Sequence, residues 1–234
     1  MDFAAFSGPA IWAALLSIIV ANILLSGDNA VVIALASRNL PPQQQKKAIF
    51  WGSAAAIVLR VVLTITAVAL LTLPYLKIVG GLLLLYIGIQ LLSDSGGEEH
   101  MEAKTSIWAA IRTILIADLV MSLDNVLAVA AAAQKGPEET RLLLLIIGLG
   151  MSIPLIIFGS AMLLKVMERF PIIITLGAGL LGLLAGGMLV DDPAIKDSIQ
   201  AALGDAKLAF EVIGVAIVIL AGTYLKKKNA AKAD

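Results

Sequence analysis

Acidic and amide side chains recur at matching positions within two long apolar stretches of the sequence. Residues 21–30 read Ala-Asn-Ile-Leu-Leu-Ser-Gly-Asp-Asn-Ala, and residues 117–126 read Ala-Asp-Leu-Val-Met-Ser-Leu-Asp-Asn-Val. Both follow the pattern A-[N/D]-x-x-x-S-x-D-N, and the offset from position 28 to position 124 is 96 residues. A carboxylate at the centre of a membrane helix costs about 2.5 to 3.5 kcal/mol on insertion. Such residues therefore indicate a functional site.

The donors in this pattern are hard oxygen atoms of carboxylate and amide groups. The chain has no Cys, and its single His, His100, lies in a polar stretch, which argues against a zinc or copper site. Oxygen ligands alone suit Mn²⁺, Ca²⁺ or Mg²⁺. A proton competes with a metal ion for the same carboxylate, which offers a means of coupling their movements. The predicted metal ligands are Asn22, Asp28, Asn29, Asp118, Asp124 and Asn125.

Small and hydroxylated residues of the same motifs are predicted to support the site. In a regular helix Ser26 lies on one stripe with Asn22, and Ser122 lies on the equivalent stripe of the second copy. Local unwinding at Gly27 would turn Asp28 inward and free backbone carbonyls as ligands. For the two serines and Asn22, an equally weighted alternative is that they only hydrogen-bond helices together.

Arg60 lies deep in the second apolar stretch of the chain. We interpret it as a counter-charge that pairs with an Asp of the cluster when no ion is bound. The alternatives are a fixed salt bridge and a side chain that extends to the membrane surface.

The apolar stretches that carry these residues are long enough to cross a membrane. The chain is 60% hydrophobic, with a mean hydropathy of +0.98, and its formal net charge is zero, so no nucleic-acid partner is expected. We predict an all-α membrane protein, surrounded by lipid, with seven transmembrane helices. Their predicted bounds are Ile11–Ala36, Ala48–Leu71, Leu76–Leu92, Trp108–Ala133, Leu142–Leu164, Ile172–Val190 and Ala209–Leu225.

Basic residues between the predicted helices set the expected orientation. Ten Lys and Arg residues fall on the side that includes the C-terminus and five on the other, with Arg60 and Arg112 not counted. The positive-inside rule then places the N-terminus outside and the C-terminus in the cytoplasm, which requires an odd number of crossings. The acidic loop 93–106 is an exception on the cytoplasmic side, and its role is left open.

The 96-residue offset extends beyond the two motifs. It also pairs Gly52 with Gly148, Thr64 with Ser160, and Gly81 with Gly177. We therefore predict two three-helix repeats, residues 8–92 and 107–190, followed by a seventh helix at 208–225. Three is an odd number, so the second repeat enters the membrane from the opposite side, as in the inverted repeats of many secondary transporters.

The motifs Ser26-Gly27-Asp28-Asn29-Ala30 and Ser122-Leu123-Asp124-Asn125-Val126 resemble those of the TerC family, and of its small seven-helix, YjbE-like branch. The resemblance covers about residues 8 to 225, and the family is similar in fold to the LysE-type transporter superfamily. It implies manganese efflux across the bacterial plasma membrane and an ion-site role for Asp28, Asn29, Asp118, Asp124 and Asn125. Some relatives are linked to metal loading of exported enzymes beside the secretion machinery.

Several functions remain open on the sequence alone. The leading one is secondary export of a divalent cation, with Mn²⁺ as transported ion and no permanently bound cofactor. The alternatives are a Ca²⁺/H⁺ exchanger, a LysE-type exporter of small molecules, and a non-transporting partner of the secretion or envelope-stress machinery. The absence of buried His and Cys argues against an enzyme. Whether the protein forms a homodimer or binds a component of the secretion machinery is also left open.

Overall fold

The structure, a computed structural model, describes residues 9–24, 27–70, 73–94, 106–133 and 140–231. This part of the chain is all-helical and contains no strand. In chain order its helices are α1 Pro9–Leu24, α2 Gly27–Ser37, α3 Pro42–Leu70, α4 Leu76–Ser93, α5 Ile107–Ala133, α6 Arg141–Gly150, α7 Ser152–Arg169, α8 Ile172–Val190, α9 Lys196–Leu203 and α10 Lys207–Ala230.

Many of these helices have the length and composition of membrane spans. Within the described residues, five apolar stretches are long enough to cross a bilayer, and α1 and α2 contribute two shorter apolar stretches, Ile11–Ala21 and Gly27–Ser37. Large apolar side chains such as Phe158 and Leu220 point outward from the bundle. An outward apolar surface is what a protein surrounded by lipid requires. The five long stretches are Pro42–Ile65, Leu76–Ser93, Leu142–Arg169, Ile172–Val190 and Lys207–Ala230.

One of the predicted helices, the fifth, is divided into two. It is interrupted at Met151, between α6 and α7. Pro154 explains this break, because it lacks an N–H for the carbonyl of Gly150 and its ring crowds that carbonyl. The first predicted helix is described as α1 and α2 on either side of residues 25–26, which lie outside the described residues, so the unwinding at Gly27 stays a prediction.

The structure also departs from the predicted bounds at several helix ends, and it adds one helix. The second predicted helix, α3, begins at Pro42, six residues before its predicted start at Ala48, because proline is well suited to the first turn of a helix. The short helix α9 was not predicted. It is polar, none of its residues is buried, and it ends at Gly204, which has a positive φ of 67°.

The helices pack crosswise between the two predicted repeats. α3 packs along α5, while α6 and α7 pack against α1 and α2, and both α1 and α2 also contact α5. A Cβ added at Gly52 would lie 2.8 Å from Cδ1 of Ile114, and one at Gly148 would lie 2.5 Å from Cγ2 of Ile18. Since 18 and 114 differ by 96, as do 52 and 148, the same glycine–isoleucine contact occurs twice.

A second group of helices is formed by α4, α8 and α10. The backbones of α8 and α10 approach so closely that an added Cβ at Gly182 would lie 2.4 Å from the carbonyl oxygen of Gly214. One turn later, a Cβ at Gly186 would lie 2.1 Å from the carbonyl oxygen of Phe210. Only glycine permits such a close approach of helix backbones.

The C-terminal ends of α2, α4, α7 and α10 meet at one end of the bundle. A cleft of about 310 Å³ there is lined by residues of all four, including Arg38, Asp94, Glu168 and Lys226. The Arg38 guanidinium donates hydrogen bonds to the carbonyl oxygens of Leu91, at 2.7 Å, and Asp94, at 2.6 Å. The first, third, fifth and seventh predicted spans therefore end together.

The opposite end of the bundle is organised by Asp192, a fully buried carboxylate that follows α8. It accepts hydrogen bonds from the amides of Ala194, Tyr75, Ile78 and Lys77, at 2.8 to 3.2 Å. Burial alone would raise the pKa of this carboxyl, but the four amides together hold its pKa below the usual 3.8. Asp192 therefore caps the start of α4 and ties it to the end of α8.

Candidate functional site

An ion pair inside the bundle joins α3 to α5. Nη2 of Arg60 lies 2.5 Å from Oδ1 of Asp118, and Nε of Arg60 donates a hydrogen bond to Oγ of Ser122 at 3.1 Å. The Ser122 hydroxyl in turn donates to Oδ2 of Asp118 at 3.3 Å. Arg60 is 1% exposed, Asp118 5% and Ser122 0%. The three side chains form a closed triangle of interactions that is buried inside the bundle.

The sequence places these groups together through helical spacing. Asp118 and Ser122 are one turn apart on α5 and share one face of the helix, as their spacing in the sequence predicts. One turn beyond Arg60 on α3, the hydroxyl of Thr64 donates to the Arg60 backbone carbonyl at 2.7 Å. The Arg60 guanidinium itself interacts with Asp118 and Ser122 on α5. Pairing of Arg60 with an Asp of the cluster was predicted, and the structure contains it.

A buried ion pair of this kind is weak evidence of a purely stabilising role. The free energy lost by removing two charges from water is about as large as the free energy gained from their mutual attraction. An apolar pair of similar volume therefore often stabilises a protein equally well. Within a membrane, buried ionisable side chains are typical of ion and proton pathways. The geometry therefore allows the Asp118 carboxylate to leave the Arg60 guanidinium and pair with a bound metal cation instead.

The last residues of the first motif, from Gly27 onward, lie at the start of α2 as described. Asp28 is half-buried in the first turn, and its Oδ1 accepts the Asn29 amide at 2.8 Å, while the Asn29 side chain is 3% exposed. A Cβ added at Gly27 would meet no atom within 4 Å. Gly27 therefore borders open space beside Asp28.

The structure brings several of the predicted site residues together. Asp28 lies near enough to both Arg60 and Asp118 to interact with their charges. Asn125 is half-buried on α5, one turn after Ser122 and seven residues after Asp118.

Other predicted site residues fall outside what the structure describes. Ser26 lies outside the described residues, as do the side chains of Asn22 and Asp124. Among the described side chains, no three His, Asp or Glu residues form a group able to hold a metal ion. The described carboxylates of the site are those of Asp28 and Asp118, so any further carboxylate ligand would come from Asp124.

Sequence reasoning gave no site role to Thr64 and Ser160, which it treated only as members of a repeat pair. Both are buried in helices that pack against a motif helix, Thr64 on α3 beside α5 and Ser160 on α7 beside α2. The 96-residue offset was the signal that pointed to them. Asp192 was also missed as a capping residue, because its partners lie more than 100 residues away in the sequence.

Comparisons with known proteins show that this chain is similar to integral membrane proteins. The family model described as "Integral membrane protein TerC family" matches residues 7–230. The uncharacterized membrane protein YjbE of Bacillus subtilis (strain 168) is 43% identical over 213 residues, which cover 91% of this chain and 95% of YjbE.

More distant relatives match about half of the chain. A UPF0053 protein of Buchnera aphidicola subsp. Schizaphis graminum (strain Sg) is 29% identical over 54% of this chain and 28% of its own length. The uncharacterized membrane protein YceF of Bacillus subtilis (strain 168) is 27% identical over 54% of this chain and 53% of YceF. No solved structure matches the chain significantly. The match over residues 7–230 and the similarity to YjbE show that this multi-pass integral membrane protein belongs to the TerC family.

Proposed function

We propose that this protein is a secondary transporter that exports a divalent cation, Mn²⁺ first among the candidates, across the bacterial plasma membrane. Asp28, Asn29, Asp118, Asp124, Asn125 and Asn22 supply the oxygen ligands, and no enzymatic step is involved. Protons compete with the metal for the carboxylates and so couple the two fluxes. Membership of the TerC family and the buried polar site both support a transport function.

The observation that carries this proposal is the pairing of Arg60 with Asp118, within reach of the charge of Asp28. In the empty site the guanidinium neutralises a carboxylate that would otherwise be isolated in a low-dielectric interior. A divalent cation bound between Asp28 and Asp118 takes over this neutralisation, and Arg60 is released. Occupancy of the site thereby changes the contact between α3 and α5, which links ion binding to helix movement.

The architecture that we propose is seven crossings, built as inverted repeats at 8–92 and 107–190 with a last span at 208–225. The repeated glycine–isoleucine contacts of Gly52 with Ile114 and Gly148 with Ile18 support it. So does the meeting of the C-terminal ends of α2, α4, α7 and α10. In such folds the substrate site lies between the repeats, where α2 contacts α5 here.

The small-molecule exporter is the less favoured transporter. An organic acid or amino acid needs a cationic partner for its carboxylate, and the deep guanidinium of Arg60 is already bound to Asp118 and Ser122. A partner protein of the secretion machinery would not require an ion pair inside its own bundle. Both alternatives predict that the carboxylates can be replaced by amides without loss of metal handling.

Manganese tolerance of a bacterial deletion strain tests the proposal. Asp28→Asn and Asp124→Asn should abolish the tolerance that the parent protein restores, with membrane abundance near normal. Asp118→Asn should also impair the tolerance. Asn22→Asp should have a milder effect, because the second repeat carries Asp118 at the matching position. Full tolerance in both Asp28→Asn and Asp124→Asn would leave the site without its ligands and favour the scaffold alternative.

A further inference from the structure

The hydroxyl of Ser160 is fully buried, and within the described structure it makes no hydrogen bond. Ser160 is 0% exposed on α7, and its Oγ has no hydrogen-bond partner among the described residues. A buried hydroxyl without a partner is unfavourable by about 1 to 3 kcal/mol. The usual remedy in a helix is a bond to a carbonyl of the preceding turn, which Thr64 makes to Arg60 and Thr223 makes to Ile219. Ser160 does not make it.

Gly159, the residue before Ser160, lies against the helix that carries the first motif. α7 packs against α2, and a Cβ added at Gly159 would lie 3.7 Å from Cβ of Ala30. The two helices run in the same direction, because their C-terminal ends line the same cleft. Side chains in a helix lean toward its N-terminus, so the Ser160 hydroxyl lies near the level of Ala30 and of its neighbour Asn29.

The pseudo-symmetry of the chain gives Ser160 a counterpart beside the second motif. The 96-residue offset pairs it with Thr64, which lies one turn from Arg60, the partner of Asp118. The same offset relates the contact of Gly52 with Ile114 to that of Gly148 with Ile18. Each motif helix therefore has a hydroxyl beside it, supplied by a helix of the other repeat.

On the basis of the proposed transport function, we propose that Ser160 is a further oxygen ligand for the transported cation and a determinant of its selectivity. A hydroxyl is a neutral hard donor, suited to the same cations as carboxylate and amide oxygens. Mn²⁺, Mg²⁺ and Ca²⁺ bind six or more ligands, so carboxylates and amides leave positions to fill. A neutral ligand completes the shell without adding charge that a proton or Arg60 would have to balance.

Replacing this oxygen by sulfur tests the assignment. The chain has no Cys, so Ser160→Cys introduces a single thiol, and thiolates prefer soft cations such as Cd²⁺. Ser37→Cys is the matched control, because Ser37 is also fully buried and its Oγ lacks a partner in the described structure, but it lies at the end of α2, about 13 Å from Asp28.

Two readouts follow for purified protein. In proteoliposomes, Cd²⁺ should inhibit Mn²⁺ flux by Ser160→Cys at roughly tenfold lower concentration than in the parent or in Ser37→Cys. In detergent, Cd²⁺ should produce a thiolate-to-metal charge-transfer absorption in Ser160→Cys, and addition of Asp28→Asn should weaken it. The second readout does not depend on transport, so it separates a wrong ligand assignment from a wrong function.

A second pair of variants covers the case in which the thiol prevents folding. Ser160→Ala should raise the KM for Mn²⁺ roughly tenfold with little change in the maximal rate, and Ser160→Thr, which keeps the hydroxyl, should restore it. An unchanged KM in Ser160→Ala overturns the proposal. So does a folded Ser160→Cys protein whose Cd²⁺ sensitivity and spectrum match those of Ser37→Cys. Neither result touches the proposed function if the parent still transports Mn²⁺.

Discussion

The guanidinium of Arg60 and the carboxylate of Asp118 lie 2.5 Å apart across the interface of α3 and α5, with both side chains buried. The contact joins the second helix of one predicted repeat to the first helix of the other. A separation of α3 from α5 would stretch or break it. The pair is therefore placed to respond to what binds at the carboxylates.

Removing one partner of this pair should be worse than removing both. Arg60→Gln or Asp118→Asn leaves a buried charge uncompensated and should lower the free energy of unfolding by about 3 to 5 kcal/mol. The double variant keeps the interior neutral and should recover much of that loss. Thermal unfolding of the four proteins in detergent measures the coupling. Additive losses in the double variant would mean that the two groups do not interact.

The glycine contact between α8 and α10 should not tolerate a methyl group. Gly186→Ala places a Cβ within 2.1 Å of the Phe210 carbonyl oxygen, so the helices must separate, at a cost of about 1 to 3 kcal/mol. Gly150→Ala is the matched control, because a Cβ there meets no atom within 4 Å. A lower unfolding temperature is expected for the first variant only. Equal temperatures would contradict the close packing.

The capping role of Asp192 predicts a dependence on pH. Its pKa in the folded protein lies below the unfolded value of 3.8, so its stabilisation is present above that value and is lost as pH falls through the folded pKa. Asp192→Asn should therefore be less stable than the parent near neutral pH, by about 1.5 to 3 kcal/mol. Unfolding followed down to about pH 3 should show the difference shrinking. A constant difference would exclude the carboxylate as its source.

The predicted topology can be checked on the same chain, which has no Cys. Ser7→Cys should react with an impermeant thiol reagent from outside the cell, and Ala230→Cys only after the cytoplasmic side is opened. Labelling of both positions from one side would require an even number of crossings. An even number would remove the basis for an inverted repeat.

Part of the candidate site could be predicted from the sequence, because helical spacing and the repeated motif determine which side chains share a helix face. The stripe of Asp118 and Ser122 and the pairing of Arg60 with an Asp depend on the one-turn spacing and on the need to neutralise a buried charge. Which Asp would pair with Arg60 could not be predicted, since that depends on how α3 packs along α5.

The features that sequence reasoning missed depend on tertiary contacts or on weak local signals. Asp192 caps α4 with partners at Tyr75, Lys77 and Ile78, and nothing in its own neighbourhood indicates them. Helix α9 spans only eight residues, and none of them is buried, so it is too short for a periodic pattern to identify it. The division of the fifth predicted span depends on Pro154, whose ring and missing N–H disrupt the helix at Met151.

Flux of Mn²⁺ in proteoliposomes that contain only the purified protein tests the central claim most directly. The parent protein should move Mn²⁺, and acid on the receiving side should accelerate the flux by protonating the emptied carboxylates and preventing rebinding. Proton counterflow should accompany it, and Asp28→Asn should abolish both movements. Parental flux in Asp28→Asn, or no flux of Mn²⁺ by the parent protein under any imposed gradient, would contradict the account.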